Sequence, residues 1–257
     1  WPAALPPCED CMKRRRDIDV ILKNWDYRPG TISARIVPAG RGREVLQMRI
    51  ELGVLQMELD GRPDGLRPDG EPTYLDVLMK KAATQPVPYV LSDEECFEID
   101  REFLQFYHRR ICFLALREFR RAMNDADHTL RLMDFVAAHS PNEQWTLSHE
   151  QYRPFVLFHR TQAATMVALD ELSAEAAIEE LNSGLHAMQR VCRKLSDSQG
   201  GEYEELVGHL KELKESLRRE YAVGPTLTEQ LADAVAAEEY ERAARIRDEI
   251  ARRRATT

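Results

Sequence analysis

Long apolar runs are absent from this sequence. No stretch approaches the roughly 18 apolar residues that a membrane-spanning helix requires, so we expect no such helix and no membrane partner. The first 16 residues also lack the apolar core of a secretory signal peptide. Of the 257 residues, 43% are hydrophobic and 31% are charged, which is typical of a globular protein that buries a sizeable core.

Excess positive charge is absent as well, since the formal net charge is -8 at pH 7. A protein that mainly grips phosphate backbones usually carries a basic excess, which releases counterions on binding. The two basic runs, at residues 13–16 and 252–254, are short and lie near the ends of the chain. We therefore expect nucleic acid to be a disfavoured partner.

Cysteine is scarce and irregularly spaced. The sequence has Cys8, Cys11, Cys96, Cys112 and Cys192. An odd number at such spacing does not fit a secreted disulfide framework, and a reducing cytoplasm fits better. Cys8 and Cys11 form a CxxC pair, but a structural zinc site needs four ligands and no second pair is present. They are weak candidates for a zinc half-site completed in a dimer or for a redox pair. The alternative is that both cysteines belong to a disordered tail without such a role.

Recognisable catalytic sets are also missing. The sequence has no glycine-rich phosphate loop, nucleophile elbow or dinucleotide fingerprint. Asp125 and His128 have a spacing used in di-metal helical bundles, but matching carboxylates from other helices are not recognisable. We therefore predict no catalytic residue, no cofactor and no enzymatic activity.

The N-terminal part of the chain changes from a proline-rich tail to a strand pattern. We predict a flexible tail over residues 1–16 and a small α/β element over residues 17–72. Within that element, residues 17–25 have helical spacing, and apolar residues then alternate as in antiparallel strands. The glycine at position 53 indicates either a third strand or one long strand bent at a bulge, so the sheet has two or three strands.

Residues 73–222 follow helical periodicity and are predicted to form a body of helical hairpins. Ser92 with Glu95, and Ser148 with Gln151, are candidate capping boxes. A signature of a bulky residue followed by alanine recurs at residues 118–122, 174–178 and 239–243, and it resembles the turn of a tetratricopeptide repeat. Because the spacing is not a regular 34 residues, a plain helical bundle stays open. A coiled-coil-like seam, predicted as an internal packing edge or a stalk, comprises Leu206, Leu210, Leu213 and Leu217.

The last part of the chain predicts a hairpin of two apolar helices separated by a short acidic and aromatic break. Gly224, Pro225 and Thr226 precede it, with Thr226 as the candidate N-cap. The first helix has an apolar stripe of Leu227, Leu231, Ala234 and Val235, and the second has a stripe of Tyr240, Ala243, Ala244, Arg247 and Ile250. We expect these two stripes to face each other.

This hairpin resembles the UVR motif of the UvrB and UvrC excision-repair proteins. The resemblance is carried by Leu231, Ala234 and the segments 239–244 and 246–250, with Tyr240 where the family usually has phenylalanine. Similar hairpins occur in McsA-type adaptors of bacterial stress proteolysis, and the rest of the chain is similar to bacterial proteins that carry a UVR motif. The resemblance implies that residues 225–254 bind another protein or a second copy of the chain. The expected partner-binding residues are Leu231, Val235, Tyr240, Ala243, Ala244, Arg247 and Ile250.

The predicted fold is α+β and mostly α, with a small N-terminal antiparallel sheet, stacked helical hairpins and a C-terminal UVR hairpin. The leading functional hypothesis is a cytoplasmic, non-catalytic adaptor linked to stress response or DNA repair. One alternative is a DNA-binding accessory of the kind used in nucleotide excision repair. The other is a metal-binding or redox protein that uses Cys8 and Cys11.

Overall fold

A computed structural model of the chain describes residues 18–84, 88–193 and 200–256. It has a small three-stranded antiparallel sheet near the N-terminus, and helices follow from there to the end of the chain. The predicted α+β, mostly α fold is confirmed. The predicted tail over residues 1–16, with Cys8 and Cys11, lies outside the described residues.

The sheet is built from consecutive strands in the order β1-β2-β3. A short helix, α1 (Asp19–Lys23), precedes β1 (Ala34–Pro38), β2 (Glu44–Ile50) and β3 (Gly53–Glu58). Ile50 pairs with Gly53, so the glycine opens a third strand after a tight turn and does not form a bulge in one long strand. The side chains of Leu46, Met48 and Met57 form the apolar face that packs on the helices.

Nine further helices follow the sheet in the described part of the chain. They are α2 (Tyr74–Thr84), α3 (Asp93–Ala115), α4 (Phe119–His139), α5 (Glu143–Glu150), α6 (Arg153–Glu171), α7 (Ala174–Cys192), α8 (Gly200–Tyr221), α9 (Leu227–Ala236) and α10 (Tyr240–Thr256). Helices α3, α4, α6, α7 and α8 pack in sequence, each against the next. We call the sheet and helices α1 to α8 the body.

Of the two predicted capping boxes, the one at Ser92 is confirmed and the one at Ser148 is wrong. Ser92 and Glu95 form a capping box at the start of α3, with the Glu95 amide 3.3 Å from Ser92 Oγ and the Ser92 amide 2.9 Å from Glu95 Oε2. Ser148, in contrast, lies inside the last turn of α5, which is capped by Asn142. The next helix begins at Arg153, where Pro154 suits the first turn because its missing N–H would have no helical acceptor.

The body has several apolar clusters, and two of them involve the sheet and the predicted seam. In one, the sheet packs on α3 and α4, where Cys112, Phe113 and Ala122 are buried. In the other, α6, α7 and α8 pack together, and Leu210 and Leu217 of the predicted seam are buried there. Leu206 and Leu213 pack at the edge of the same cluster, so the seam is an internal packing edge of the body.

Two connections between helices, far apart in the chain, have the same backbone geometry. Between α3 and α4, Arg117 has a φ of 61°, and the Glu118 amide donates to the Phe113 carbonyl at 2.9 Å. Between α9 and α10, Glu238 has a φ of 59°, and the Glu239 amide donates to the Ala234 carbonyl at 2.8 Å. The recurring sequence signature therefore marks one type of turn at these two places.

The α6–α7 turn differs slightly from the predicted register. Its equivalent bond runs from the Ser173 amide to the Ala168 carbonyl at 2.9 Å, so Ser173 takes the position of the glutamate and the signature starts one residue earlier than predicted. An alanine is buried after each of the three turns, where the second helix crosses the first; these are Ala122, Ala177 and Ala243.

Candidate functional site

The terminal hairpin consists of α9 and α10, and its start is fixed by a capping box. The Thr226 amide donates to Glu229 Oε2 at 2.9 Å, and the Glu229 amide donates to Thr226 Oγ1 at 3.4 Å. This confirms Thr226 as the N-cap. Because both groups satisfy otherwise unpaired amides of the first turn, the box fixes where the hairpin begins.

The interior of the hairpin contains only some of the residues in the two predicted stripes. It buries Ala234, Ala243 and Ile246, and the apolar side chains packed against them are Leu227, Leu231 and Ile250. Tyr240 and Arg247, which we expected to face α9, are exposed, and that part of the packing prediction is wrong. Ile246, which the predicted stripe omits, takes the place facing α9 because it follows Ala243 by three residues and precedes Ile250 by four.

A second stripe of α10 lies outside the packed interior of the hairpin. Tyr240, Ala244 and Arg247 follow one another by four and three residues, and therefore share one side of the helix. Tyr240 is 67% exposed, Val235 at the end of α9 is 53% exposed, and Ala244 is half-buried. We call Val235, Tyr240, Ala244 and Arg247 the outer face of the hairpin. Of the seven predicted partner-binding residues, these four are the ones that the hairpin interior does not use.

The α3–α4 hairpin shows what the corresponding positions do inside the body. With Glu118 matched to Glu239 by the shared turn, Val235 corresponds to Leu114, Tyr240 to Phe119 and Ala244 to Met123. All three body residues pack, partly buried, against the cluster that contains Leu46, Met48 and Met57 of the sheet. In the body this face is covered, and in the terminal hairpin it is open.

Three arginines of α10 form ion pairs with nearby carboxylates. Arg242 pairs with Glu239 at 2.8 Å, Arg247 with Asp248 at 2.8 Å and Arg253 with Glu249 at 2.9 Å. These pairs are exposed on both sides, so each contributes little to stability. These pairs therefore reduce the positive charge of α10 but do not cancel it, since residues 240–253 carry five arginines and three carboxylates.

Asp125 and His128 are used inside the body. Asp125 accepts two hydrogen bonds from Arg109, at 2.9 and 2.7 Å, and burial raises the pKa of its carboxyl group although Arg109 opposes the shift. His128 Nε2 lies 3.0 Å from Glu102 Oε1, and its ring stacks on Phe106. Among the described residues, no group of three or more histidine, cysteine, aspartate or glutamate side chains could hold a metal ion.

A cleft of about 690 Å³ lies between the strand ends and the loop that follows β3. Its walls carry both signs of charge: Arg43 pairs with Glu58 at 3.2 Å, and buried Arg62 pairs with Glu98 at 2.9 Å. Arg109, beside it, donates to the carbonyls of Glu58 and Gly61 and so fixes this loop to α3. Sequence reasoning missed these buried arginines, since a charged residue in a helix or turn is usually exposed.

His159 and two cysteines, Cys96 and Cys112, lie inside the body. Burial, with Arg110 close by, lowers the pKa of His159 to about 4. Cys96 and Cys112 are free and buried, and burial raises the pKa of the Cys112 thiol to about 12. A thiol with so high a pKa carries almost no thiolate at neutral pH, so this cysteine is a poor nucleophile.

Comparison with known proteins identifies one segment. Residues 225–255 match the family model described as the UvrB/uvrC motif, which confirms the predicted UVR motif. The match covers the hairpin with its N-cap and does not extend into the body. Searches of curated proteins and of solved structures each found no match. No described helix is both long and apolar enough to cross a membrane.

Proposed function

We propose that the chain is a non-catalytic adaptor that recruits a protein through the outer face of its UVR hairpin. The observation that carries this proposal is the contrast between two hairpins with the same turn. Leu114, Phe119 and Met123 are packed against the cluster that contains the apolar face of the sheet, whereas Val235 and Tyr240 are exposed and Ala244 is half-buried. A partner would supply the cover that the sheet supplies in the body.

The chemistry of the outer face suits a protein partner. Burying an aliphatic or aromatic side chain that was exposed is favourable by about 1.5–3 kcal/mol. Tyrosine and arginine are enriched among the residues that dominate binding energy at interfaces. Arg247 has an ion pair with its exposed neighbour Asp248, and such a pair is weak enough to be exchanged for a carboxylate of the partner.

The partner that we propose is another UVR hairpin, in a second protein or in a second copy of this chain. Both would present an aromatic residue and small side chains of the same kind, so two such faces are self-complementary. On the resemblance to UVR-containing adaptors and repair proteins, we place this adaptor in the bacterial cytoplasm, in stress response or DNA repair.

A DNA-binding accessory role is less well supported. The net charge of -8 and the local ion pairs of Arg242, Arg247 and Arg253 oppose binding to a phosphate backbone. A metal or redox role would have to rest on Cys8 and Cys11, which lie outside the described residues.

The test compares Tyr240→Ala with Tyr152→Ala in the full chain. Tyr152 is also exposed, at 48%, but lies in the body, so it is the matched control. We expect Tyr240→Ala to reduce self-association in sedimentation velocity, or recovery of the co-purifying protein, at least tenfold, while Tyr152→Ala has no effect. Equal behaviour of the two variants would count against the outer face as the binding surface.

A further inference from the structure

The terminal hairpin rests on the body by its open end. The Thr228 amide, at the start of α9, donates to Glu179 Oε1 of α7 at 3.4 Å. Near the end of α10, Arg253 Nη1 lies 3.6 Å from Glu175 Oε1, also in α7. The turn at residues 237–239 is at the opposite end of the hairpin and is exposed. The hairpin therefore stands on the body with its turn directed away from it.

Glu229 is at the centre of this contact. Its Oε1 lies 3.1 Å from Lys214 Nζ, and its Oε2 contacts Arg218 Nη2, both from α8. Lys214 Nζ also donates to Asn182 Oδ1 of α7 at 3.2 Å. Burial opposes ionisation of Glu229, but the Thr226 amide and Lys214 prevail and lower the pKa of its carboxyl group. Glu229 thus caps α9 and binds the body at the same time.

Apolar packing contributes little to the contact. The cluster inside the hairpin contains residues of α9 and α10, and the nearest body cluster contains residues of α6, α7 and α8, with none shared among the described residues. The side chains of Glu229, Lys214 and Arg218 are each about one-fifth exposed, so water and salt reach them. A contact of this kind is weak and sensitive to ionic strength.

Two features of the contact between the hairpin and the body indicate that the hairpin can leave the body. Arg218 Nε is buried and has no hydrogen-bond acceptor among the described residues, so docking leaves one donor of the guanidinium unsatisfied. The link from α8 to α9 includes Ala222, with a φ of 51°, and the exposed Gly224, around which a Cβ would meet no atom within 4 Å. The link is therefore under local strain and has free space around it.

We propose that Glu175, Glu179, Asn182, Lys214 and Arg218 form an intramolecular docking site for the terminal hairpin. Residues 225–256 occupy this site through charge and leave it as a folded unit, turning about residues 222–224. Docking fixes the direction of the outer face relative to the body, and undocking frees it. The proposal goes beyond partner recruitment, and it can be tested with the chain alone.

Amide hydrogen exchange in the full chain tests the proposal at single residues. The Thr228 amide is bonded to the body, whereas the Glu239 amide is bonded inside the hairpin, to Ala234. The variant Glu229→Gln keeps a side chain that can complete the capping box but removes its charge. We expect about fivefold faster exchange at Thr228 and no change at Glu239, because losing a partly exposed ion pair shifts an opening equilibrium by about that factor.

Glu239→Gln is the matched control, since it breaks the Arg242–Glu239 pair inside the hairpin without reaching the body. Raising the salt concentration should speed exchange at Thr228 in the original chain and have less effect in Glu229→Gln. Exchange at Thr228 that responds to neither the substitution nor salt overturns the proposal. Equal acceleration at Thr228 and Glu239 also overturns it, because the hairpin would then be unfolding instead of undocking.

Discussion

The α3–α4 and α9–α10 hairpins close with the same backbone hydrogen bonds but differ in what covers the aromatic residue after the turn. In the body, Phe119 follows the turn and packs against the cluster beneath the sheet. In the terminal hairpin, Tyr240 stands at that position and is 67% exposed. The turn is therefore determined locally, by a left-handed residue, a glutamate and a buried alanine, whereas the use of the aromatic residue depends on what lies over it.

The two hairpins also differ at the position seven residues after the glutamate. In α4 this is Asp125, which is buried and paired with Arg109, and in α10 it is Ile246, which packs against α9. In the body hairpin a buried ion pair joins α3 to α4, and Arg109 also donates to carbonyls at the end of β3 and in the loop after it. The terminal hairpin has a small apolar interior of its own. We therefore expect the two hairpins to respond differently to changes at equivalent positions.

The largest effect is expected for Asp125→Ala. The substitution leaves the Arg109 guanidinium, which is 4% exposed, buried without its carboxylate, and should lower the free energy of unfolding by about 3–5 kcal/mol. Urea denaturation followed by circular dichroism measures the loss. Asp127→Ala, which removes an exposed pair with Arg160, is the control and should change stability by less than about 1 kcal/mol. Similar losses for the two variants would contradict a special role of the buried pair.

The next effect is the pH dependence of the body. Burial lowers the pKa of His159 from 6.5 to about 4, so between these values the unfolded chain binds a proton that the folded chain does not. The contribution of His159 to the free energy of unfolding is fully present above pH 6.5. It should fall by about 3 kcal/mol as the pH drops from 6.5 to about 4. The terminal hairpin contains no histidine, so acid should affect the body and not the hairpin through this route.

Free energies of unfolding at pH 7, 5.5 and 4.5 test this expectation. His159→Gln removes the titration and should flatten the curve, whereas His186→Gln, at an exposed position, should keep the slope of the original chain. An unchanged slope in His159→Gln would assign the acid sensitivity to carboxylates elsewhere in the chain.

A smaller and local effect is expected for Ile246→Ala. Removing this side chain from an interior with few buried residues should lower the free energy of hairpin opening by about 2 kcal/mol and leave the body unchanged. Hydrogen exchange of the Ala243 amide, which is bonded to the Glu239 carbonyl, reports on the hairpin alone. Arg245→Ala, at an exposed position of α10, is the control. Loss of the body's cooperative unfolding in Ile246→Ala would mean that the two regions are one folding unit.

The smallest effect is expected for substitutions in the two turns. Arg117→Gly and Glu238→Gly each relieve a left-handed backbone at a non-glycine residue, and each should stabilise its hairpin by about 0.5–1 kcal/mol. Because the two turns share one geometry, the gains should be equal within error. Ala232→Gly, inside α9, is the control and should cost about 1 kcal/mol. Unequal gains would show that the surrounding contacts, and not the turn, set the strain.

Much of this architecture is predictable from local sequence. The caps at Ser92 and Thr226, a small antiparallel sheet of two or three strands and the terminal hairpin follow from spacing and residue type. The orientation of α10 does not, because Tyr240, Ala244 and Arg247 repeat at helical spacing just as Ala243, Ile246 and Ile250 do. The contact between helices decides which stripe is buried, and small side chains at both stripes leave the sequence ambiguous.

The charged interior of the body could not be predicted for a different reason. Arg62, Glu102 and Arg109 look like exposed residues in sequence, and their burial depends on partners that are distant along the chain. The sequence Arg-Pro-Asp-Gly, which occurs at residues 62–65 and again at residues 67–70, predicts turns after β3 but does not show that Arg62 points inward. Long-range electrostatic pairing of this kind has no local periodicity to reveal it.

The position of the link at residues 222–224 bears on how this chain could change over evolutionary time. Both ends of the hairpin lie at one place on the body, and the hairpin keeps an apolar interior that uses no described residue of the body. A genetic exchange at this link would cross few buried contacts. A lineage could therefore replace residues 225–256 by a related hairpin, and so acquire a different partner, while the body kept its own core.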